Sequence, residues 1–201
     1  MNLWSAEDFE RSKEFWNEVG HEATLPIRFA NLVDFVEAVN RHNSSSKIFL
    51  HGRTLHRALR DEALLPDHDD DLLITGGASQ KLLKSTSSAG FTLIRELDVD
   101  AEGSGILSFE RHGRYIDLHL RFGAEYSTSI SRKLVLYGRE FLYLEASERE
   151  AEVKYATSAQ ARFGQRILNA SKTFDQYHSK SEYLALASRQ LKSTFGGALR
   201  D

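Results

Sequence analysis

Residues 52–74 read GRTLHRALRDEALLPDHDDDLLI, and the acidic end of this stretch constrains the fold most strongly. Four aspartates and a histidine stand directly before the apolar residues 72–74; they are Asp67, His68, Asp69, Asp70 and Asp71. The pattern predicts a buried strand that begins in concentrated negative charge. An isolated buried carboxylate is strongly disfavoured, whereas carboxylates that share a divalent metal are tolerated because the ion supplies positive charge. The stretch therefore predicts a metal site at the start of a strand.

The composition predicts one compact domain over residues 1–201, with a core at 27–145 and C-terminal helices at 146–193. The net charge of −3 and the isoelectric point of about 6.3 provide no basic field, so no nucleic-acid partner is expected. The chain has no cysteine, which excludes disulfides and thiolate chemistry. It also lacks a long apolar run and a signal-peptide pattern, which predicts a cytoplasmic protein with no transmembrane segment.

Hydrophobic periodicity and turn residues predict the order of the helices and strands. Helices are expected at residues 5–19, 27–42, 53–62, 79–89, 147–168 and 174–191, with capping boxes at Ser5 and Ser147. Strands are expected at residues 47–51, 69–74, 91–97, 106–110 and 114–122, and a hairpin at 133–144. Residues 21–26 are interpreted as a turn and residues 98–105 as a solvated loop. This order predicts an α/β (α+β) protein with a mixed sheet flanked by helices.

Strand geometry then distinguishes among the carboxylates. Successive side chains of a strand alternate between its faces, so Asp69 and Asp71 share one face while Asp70 points with Leu72. Asp117 stands in the middle of a later predicted strand, where aspartate is unusual. A neighbouring strand would bring Asp117 to the same ion. Asp69, Asp71 and Asp117 are therefore the candidate ligands and catalytic residues for Mg²⁺, or for Mn²⁺.

The predicted helix after Gly52 is a candidate phosphate-binding element. Its three arginines are spaced i, i+4 and i+7, which places them along one helix face. This face is either solvated and paired with nearby acids, or part of a phosphate site at the helix N-terminus, because the helix follows a strand and a glycine. The residues expected to bind substrate or phosphate are His51, Gly52, Arg53, Thr54, Arg57, Arg60 and His119.

The order of these motifs resembles the nucleotidyltransferase superfamily, in which a glycine precedes Asp-x-Asp and a later aspartate on strands. More narrowly, residues 52–60 and 64–72 are similar to the LicD and fukutin-related family. The resemblance implies that a phosphocholine-like or ribitol-phosphate-like group is transferred from a CDP-activated donor to a glycan acceptor. It also implies that Asp69 and Asp71 bind metal and that Asp117 matches the later catalytic aspartate.

Several alternatives remain open from the sequence. One is nucleotidyl transfer, for example from a nucleoside triphosphate, to another hydroxyl acceptor, and another is a catalytically silent binding module of the same fold. A metal phosphohydrolase of the His-Asp helical type is suggested by His51, His56, His68-Asp69 and Asp117. That class needs its ligands on helices, whereas the period-two pattern around Asp69 and Asp117 favours strands. An acidic run can also be a solvated loop, and His68 and His119 can serve as local hydrogen-bonding residues.

Overall fold

The computed structural model describes residues 3–42, 47–64, 67–76, 79–97 and 104–155. These residues form helices and strands in the order α1 (Ala6–Val19), α2 (His21–His42), β1 (Ile48–Leu50), α3 (Gly52–Asp61), β2 (Asp69–Thr75), α4 (Gln80–Ser88), β3 (Thr92–Leu97), β4 (Ser104–Arg111), β5 (Arg114–Arg121), α5 (Ala124–Ser127), β6 (Ser131–Leu136), β7 (Arg139–Leu144) and α6 (Glu145–Tyr155). None of the helices within these ranges is long and apolar enough to cross a membrane.

The strands form one seven-stranded mixed sheet in the order β3-β4-β5-β2-β1-β7-β6. β2 runs parallel to β5 and β1 runs parallel to β7, while the other neighbouring strands are antiparallel. The predicted hairpins around residues 112–113 and 137–138 are both confirmed. The predicted class, an α/β protein with a mixed sheet flanked by helices, is therefore confirmed.

One face of the sheet carries the main hydrophobic core. Leu72 and Ile74 of β2 and Leu118 of β5 are fully buried there, in the same cluster as Phe29 and Leu32 of α2. The intervening residues of β2 and β5 point to the opposite face. A slip of one residue in β2 would exchange these faces and bury the acidic side chains in the apolar core, so core packing determines the register that positions the site.

α1 begins as predicted, but the turn expected at residues 21–26 is wrong. Ser5 and Asp8 form the reciprocal capping box at the start of α1. α2 begins at His21 and includes Pro26. Proline removes one helical hydrogen bond, here near the first turn, while every residue from 24 to 33 is buried. The apolar contacts of this segment outweigh its local turn propensity.

The described C-terminal helix also differs from its prediction. α6 starts at Glu145, and Ser147 is buried and hydrogen-bonded to His51, so Ser147 is not an N-cap. Residues 156–168 and 174–191, where helices are also predicted, lie outside the described residues. Residues 98–103 of the predicted loop lie outside them too, whereas Ser104 belongs to β4.

Candidate active site

Three carboxylates share the polar face of two neighbouring parallel strands. Asp71 of β2 is in register with Asp117 of β5, and Asp69 is in register with Tyr115. Strands pair about 4.8 Å apart, and residues in register point to the same face. The expectation that Asp117 would lie on the strand next to the Asp-x-Asp pair is confirmed. All three aspartates lie on strands, which contradicts the alternative of a phosphohydrolase with helical ligands.

Asp71 is held at the N-terminus of α3. The backbone N–H of Arg53 donates to Oδ2 of Asp71 at 3.1 Å, and the N–H of Asp71 donates to Oγ1 of Thr54 at 2.9 Å. Gly52 permits this approach, because a Cβ atom there would lie 2.6 Å from Oδ2 of Asp71. The positive end of the helix dipole stabilises the carboxylate. The glycine and helix N-terminus expected to hold phosphate thus hold a carboxylate of the site in this structure.

Two histidines lie beside Asp71. Nε2 of His119 is 3.1 Å from Oδ1 of Asp71, and the His51 and His119 ring centroids are 4.8 Å apart. Nδ1 of His51 lies 3.1 Å from the hydroxyl of Ser147. Burial is the largest effect and opposes the ionisation of Asp71, but its neighbours, led by the hydrogen bond of His119 and including the N–H of Arg53, together outweigh burial and lower the pKa of Asp71. Burial, helped by His119, lowers the pKa of His51 to about 3, so this ring is neutral at pH 7.

The surroundings of Asp69 disfavour its negative charge. Burial, together with repulsion from Asp71 and Asp67, raises the pKa of Asp69 to about 7. His68 lies between two acids, with Nδ1 3.1 Å from Asp67 and Nε2 3.5 Å from Asp69. Ligand atoms of Asp67, His68 and Asp69 all lie within 4.8 Å of one another. Partly buried carboxylates that repel one another fit a divalent cation, which would supply the missing positive charge.

The three arginines of the predicted helix face bind two different aspartates. Nη1 of Arg57 donates to Oδ2 of Asp67 at 2.9 Å, and Nη1 of Arg53 lies 3.6 Å from Oδ1 of the same residue. Arg60 instead pairs with Asp61 at 2.6 Å. Arg53 and Arg57 therefore stand beside the acidic group at the start of β2, whereas Arg60 has a separate partner.

Asp70 points to the core face, as predicted, and has a buried partner that the sequence analysis missed. Nε and Nη2 of Arg28 donate to Oδ1 of Asp70 at 2.8 and 2.6 Å. Nη2 also donates to the carbonyl of Asp69 at 3.1 Å. The arginine inside the apolar segment LPIRFA was a usable signal, because a buried cation requires an anion. This pair connects α2 to the beginning of β2.

Asp117 has two partners that the sequence analysis also missed. Nη2 of Arg95 donates to Oδ2 of Asp117 at 2.7 Å, and the hydroxyl of Ser108 donates to Oδ1 at 2.5 Å. Arg95 and Ser108 stand in strands that were predicted, but no local pattern distinguished them from other polar strand residues. Their contact with Asp117 depends on the pairing of three strands.

A small cavity of about 40 Å³ adjoins Asp71. Its lining combines the two histidines with residues of β5 and α6: His51, Gly52, Asp71, His119, Arg121, Glu150, Ala151, Lys154 and Tyr155. Arg121 and Lys154 bring two cations to this side of the site, and the sequence analysis assigned neither of them. Asp71 and these two cations thus line one polar cavity beside the N-terminus of α3.

The fold is similar to solved structures of low sequence identity. One is the antibiotic-resistance factor ANT(2'')-Ia in solution, with a TM-score of 0.46 and 14% identity over 83% of this chain and 91% of that chain. A crystal structure of ANT(2'')-Ia with adenylyl-2''-tobramycin has a TM-score of 0.46 and 14% identity over 82% of this chain and 96% of that chain. An antigenic nucleotidyltransferase-like protein from Paracoccidioides brasiliensis has a TM-score of 0.39 and 15% identity, covering 85% and 92%. No family model and no curated protein matches the chain.

Proposed function

We propose that this protein is a divalent-metal-dependent transferase that moves a phosphorus-containing group from a nucleotide-activated donor to a hydroxyl acceptor. The observation that carries this proposal is the register of β2 and β5, which puts Asp69, Asp71 and Asp117 on one polar face. Transfer of such groups needs carboxylates that hold a metal and position the attacking hydroxyl, with cations or N–H groups that hold phosphate oxygens. Both kinds of group occur here within one site.

Asp69 and Asp71 are the residues that would hold Mg²⁺, or Mn²⁺ in its place. Their carboxylates lie two residues apart on one strand face, and the raised pKa of Asp69 fits a position that a cation completes. Such an ion supplies neutralisation of the charge that develops on the transferred group. Asp117 is the third carboxylate of the site, on the adjacent strand.

The donor would be held on the side of the site formed by α3. Arg53 has a half-buried side chain, and its ion pair with Asp67 is longer than that of Arg57. Arg53 is therefore the cation of α3 that can most readily exchange Asp67 for a donor phosphate. Arg57, Arg60, Thr54 and Gly52 form the rest of the predicted donor site, and His51 and His119 border Asp71. We include Arg121 and Lys154 as additional cations for phosphate oxygens, since they line the adjoining cavity.

The donor and acceptor classes come from the family resemblance of residues 52–72. By that resemblance the donor is a CDP-activated alcohol, the transferred group is phosphocholine-like or ribitol-phosphate-like, and the acceptor is a glycan. Nucleoside triphosphates and other hydroxyl acceptors are the alternative within the same chemistry. A catalytically silent binding module would share the fold and show no metal-dependent activity.

A thermal-shift screen separates these possibilities. The full chain would be tested with CDP-alcohols, nucleoside triphosphates and nucleotide sugars, each with and without Mg²⁺. We expect a donor that raises the melting temperature in the presence of Mg²⁺ and has little effect without it, because a ligand that binds the folded state stabilises it. A larger rise in melting temperature with CDP-alcohols than with the other donors would support a CDP-activated alcohol as the donor.

Matched variants link the response to the site. Asp69→Asn and Asp71→Asn should remove the metal-dependent shift and the turnover of the responding donor, whereas Glu140→Gln, at an exposed position of β7, should retain both. If none of the donors changes the melting temperature with Mg²⁺, or if both aspartate variants keep full activity, the proposed function is rejected.

A further inference from the structure

A polar row crosses four strands of the sheet. Arg95 of β3 pairs in register with Ser108 of β4, Ser108 with Asp117 of β5, and Asp117 with Asp71 of β2. A register shift between Leu93 and Arg95 brings Arg95 opposite Ser108. The row therefore has a cation at one end and a candidate metal ligand at the other, with Asp117 between them.

Both oxygen atoms of Asp117 have strong partners within this row. Oδ2 accepts from Nη2 of Arg95 at 2.7 Å, and Oδ1 accepts from the hydroxyl of Ser108 at 2.5 Å. Ser108 is fully buried and Asp117 is nearly so. Hydrogen bonds to an ionised group in such surroundings are short and strong, and a metal ion would have to displace one of them to bind Asp117.

The guanidinium of Arg95 is itself held in place. Its Nε donates to the hydroxyl of Ser108 at 2.8 Å, and its Cζ lies 4.6 Å from the centroid of the Phe9 ring. The backbone N–H of Trp4 donates to the carbonyl of Ile94 at 2.8 Å, which ties the segment before α1 to β3. A cation fixed by a carboxylate, a hydroxyl and an aromatic face has little freedom to leave Asp117.

Asp69 and Asp71 have different partners. Oδ2 of Asp69 lies 3.5 Å from an imidazole nitrogen of His68, and Oδ1 of Asp71 lies 3.1 Å from that of His119. Oδ2 of Asp71 also accepts from the backbone N–H of Arg53 at 3.1 Å. These contacts are longer than the two made by Asp117 and none of them involves a guanidinium, so a divalent cation can share the carboxylate oxygens of Asp69 and Asp71. We propose, on the basis of the function proposed above, that Arg95 takes the place of a second metal ion on Asp117, so that the site binds one divalent cation between Asp69 and Asp71.

Arg95 is in this account a positioning residue that acts through Asp117. Its guanidinium occupies Oδ2 of the buried carboxylate, while the hydroxyl of Ser108 occupies Oδ1 and fixes the orientation of the carboxylate. If Arg95 occupies Asp117, each chain binds one metal ion, and loss of Arg95 allows a second. If Arg95 were only a structural contact between β3 and β5, its loss would not change the number of ions bound.

Titration of the full chain with Mn²⁺, followed by the electron paramagnetic resonance signal of free Mn²⁺, tests the proposal. We expect wild-type protein to bind one ion per chain. Asp69→Asn should weaken that binding by about tenfold or more, whereas Asp117→Asn should change it by less than about twofold. Arg95→Gln should create a second Mn²⁺ site that is absent from the Arg95→Gln/Asp117→Asn double variant, and Arg95→Lys should retain the single site.

Different contrary results would reject the role of Arg95 and the proposed function. Two ions bound by the wild type, or an Asp117→Asn variant as weak as Asp69→Asn, would overturn the role of Arg95. Asp69→Asn and Asp71→Asn variants that bind Mn²⁺ as tightly as the wild type would instead reject the proposed function. Circular dichroism checks the fold of each variant, and if Arg95→Gln does not fold, the comparison of Asp117→Asn with Asp69→Asn still decides.

Discussion

Gly52 meets two requirements that a larger residue would not satisfy together. Its φ angle is +53°, in the left-handed region, and an added Cβ atom would lie 2.6 Å from Oδ2 of Asp71. The same turn places the N–H of Arg53 on that oxygen. The position of the Asp71 carboxylate therefore depends on the absence of a side chain at residue 52.

Gly52→Ala tests this dependence. The variant should lower the free energy of unfolding by about 1–3 kcal/mol, the usual cost of a strained left-handed residue, and should weaken Mn²⁺ binding because Asp71 has to move. Gly123→Ala is the matched control, since a Cβ atom there meets nothing within 4 Å. Urea unfolding measures the stability of both variants, and equal stability for the two would contradict the close approach.

The buried contact of Arg28 in α2 with Asp69 and Asp70 in β2 fixes the start of the acidic strand. Arg28 of α2 donates to the side chain of Asp70 and to the carbonyl of Asp69, so one guanidinium holds both the core face and the backbone of β2. The pair is buried on both sides. Breaking a buried pair leaves an uncompensated charge, whereas replacing both partners with apolar residues removes the charges together.

Arg28→Met should therefore lower the free energy of unfolding by about 3–5 kcal/mol. Arg28→Met/Asp70→Leu should recover a large part of that loss, because the double variant removes both charges of the buried pair together. Chemical denaturation of the wild type and the three variants, including Asp70→Leu, forms a complete double-mutant cycle. A double variant whose loss of stability equals the sum of the two single-variant losses would show that the two residues are not coupled as the structure indicates.

Local sequence patterns predicted which face of a strand each side chain occupies. Most contacts between strands distant in sequence could not be predicted from them. The alternation in residues 69–74 assigned Asp69, Asp70 and Asp71 to their faces, because a strand has a period of two. Asp117 was found because aspartate is unusual in the middle of a strand. Arg95 carries no local signal, since its role depends on the order and register of β3, β4 and β5. Burial of α2 similarly overrode the local turn propensity before Pro26.

A partly buried histidine makes the whole fold sensitive to acid. Burial, with the charges of Arg28, Arg114 and Arg57, lowers the pKa of His21 to about 3. A folded pKa below the unfolded value of about 6.5 means that the unfolded chain binds the proton more readily. The stability contributed by neutral His21 is thus complete above pH 6.5 and is lost progressively as the pH falls toward 3.

His21→Gln should reduce this acid sensitivity. Between pH 7.5 and pH 5 the wild type should lose about 2 kcal/mol more unfolding free energy than the variant, since one pKa unit corresponds to about 1.4 kcal/mol. Urea unfolding at both pH values measures the difference. An equal loss in the two proteins would show that His21 does not titrate as its burial requires.

A metal ion on the polar face of β2 would be seen in crystals of the protein soaked in Mn²⁺. An anomalous difference map should show a peak about 2.0–2.3 Å from carboxylate oxygens of both Asp69 and Asp71, at the usual distance for a hard cation. A map with no peak between these two carboxylates, or with a peak held by Asp67 and His68 alone, would contradict the account.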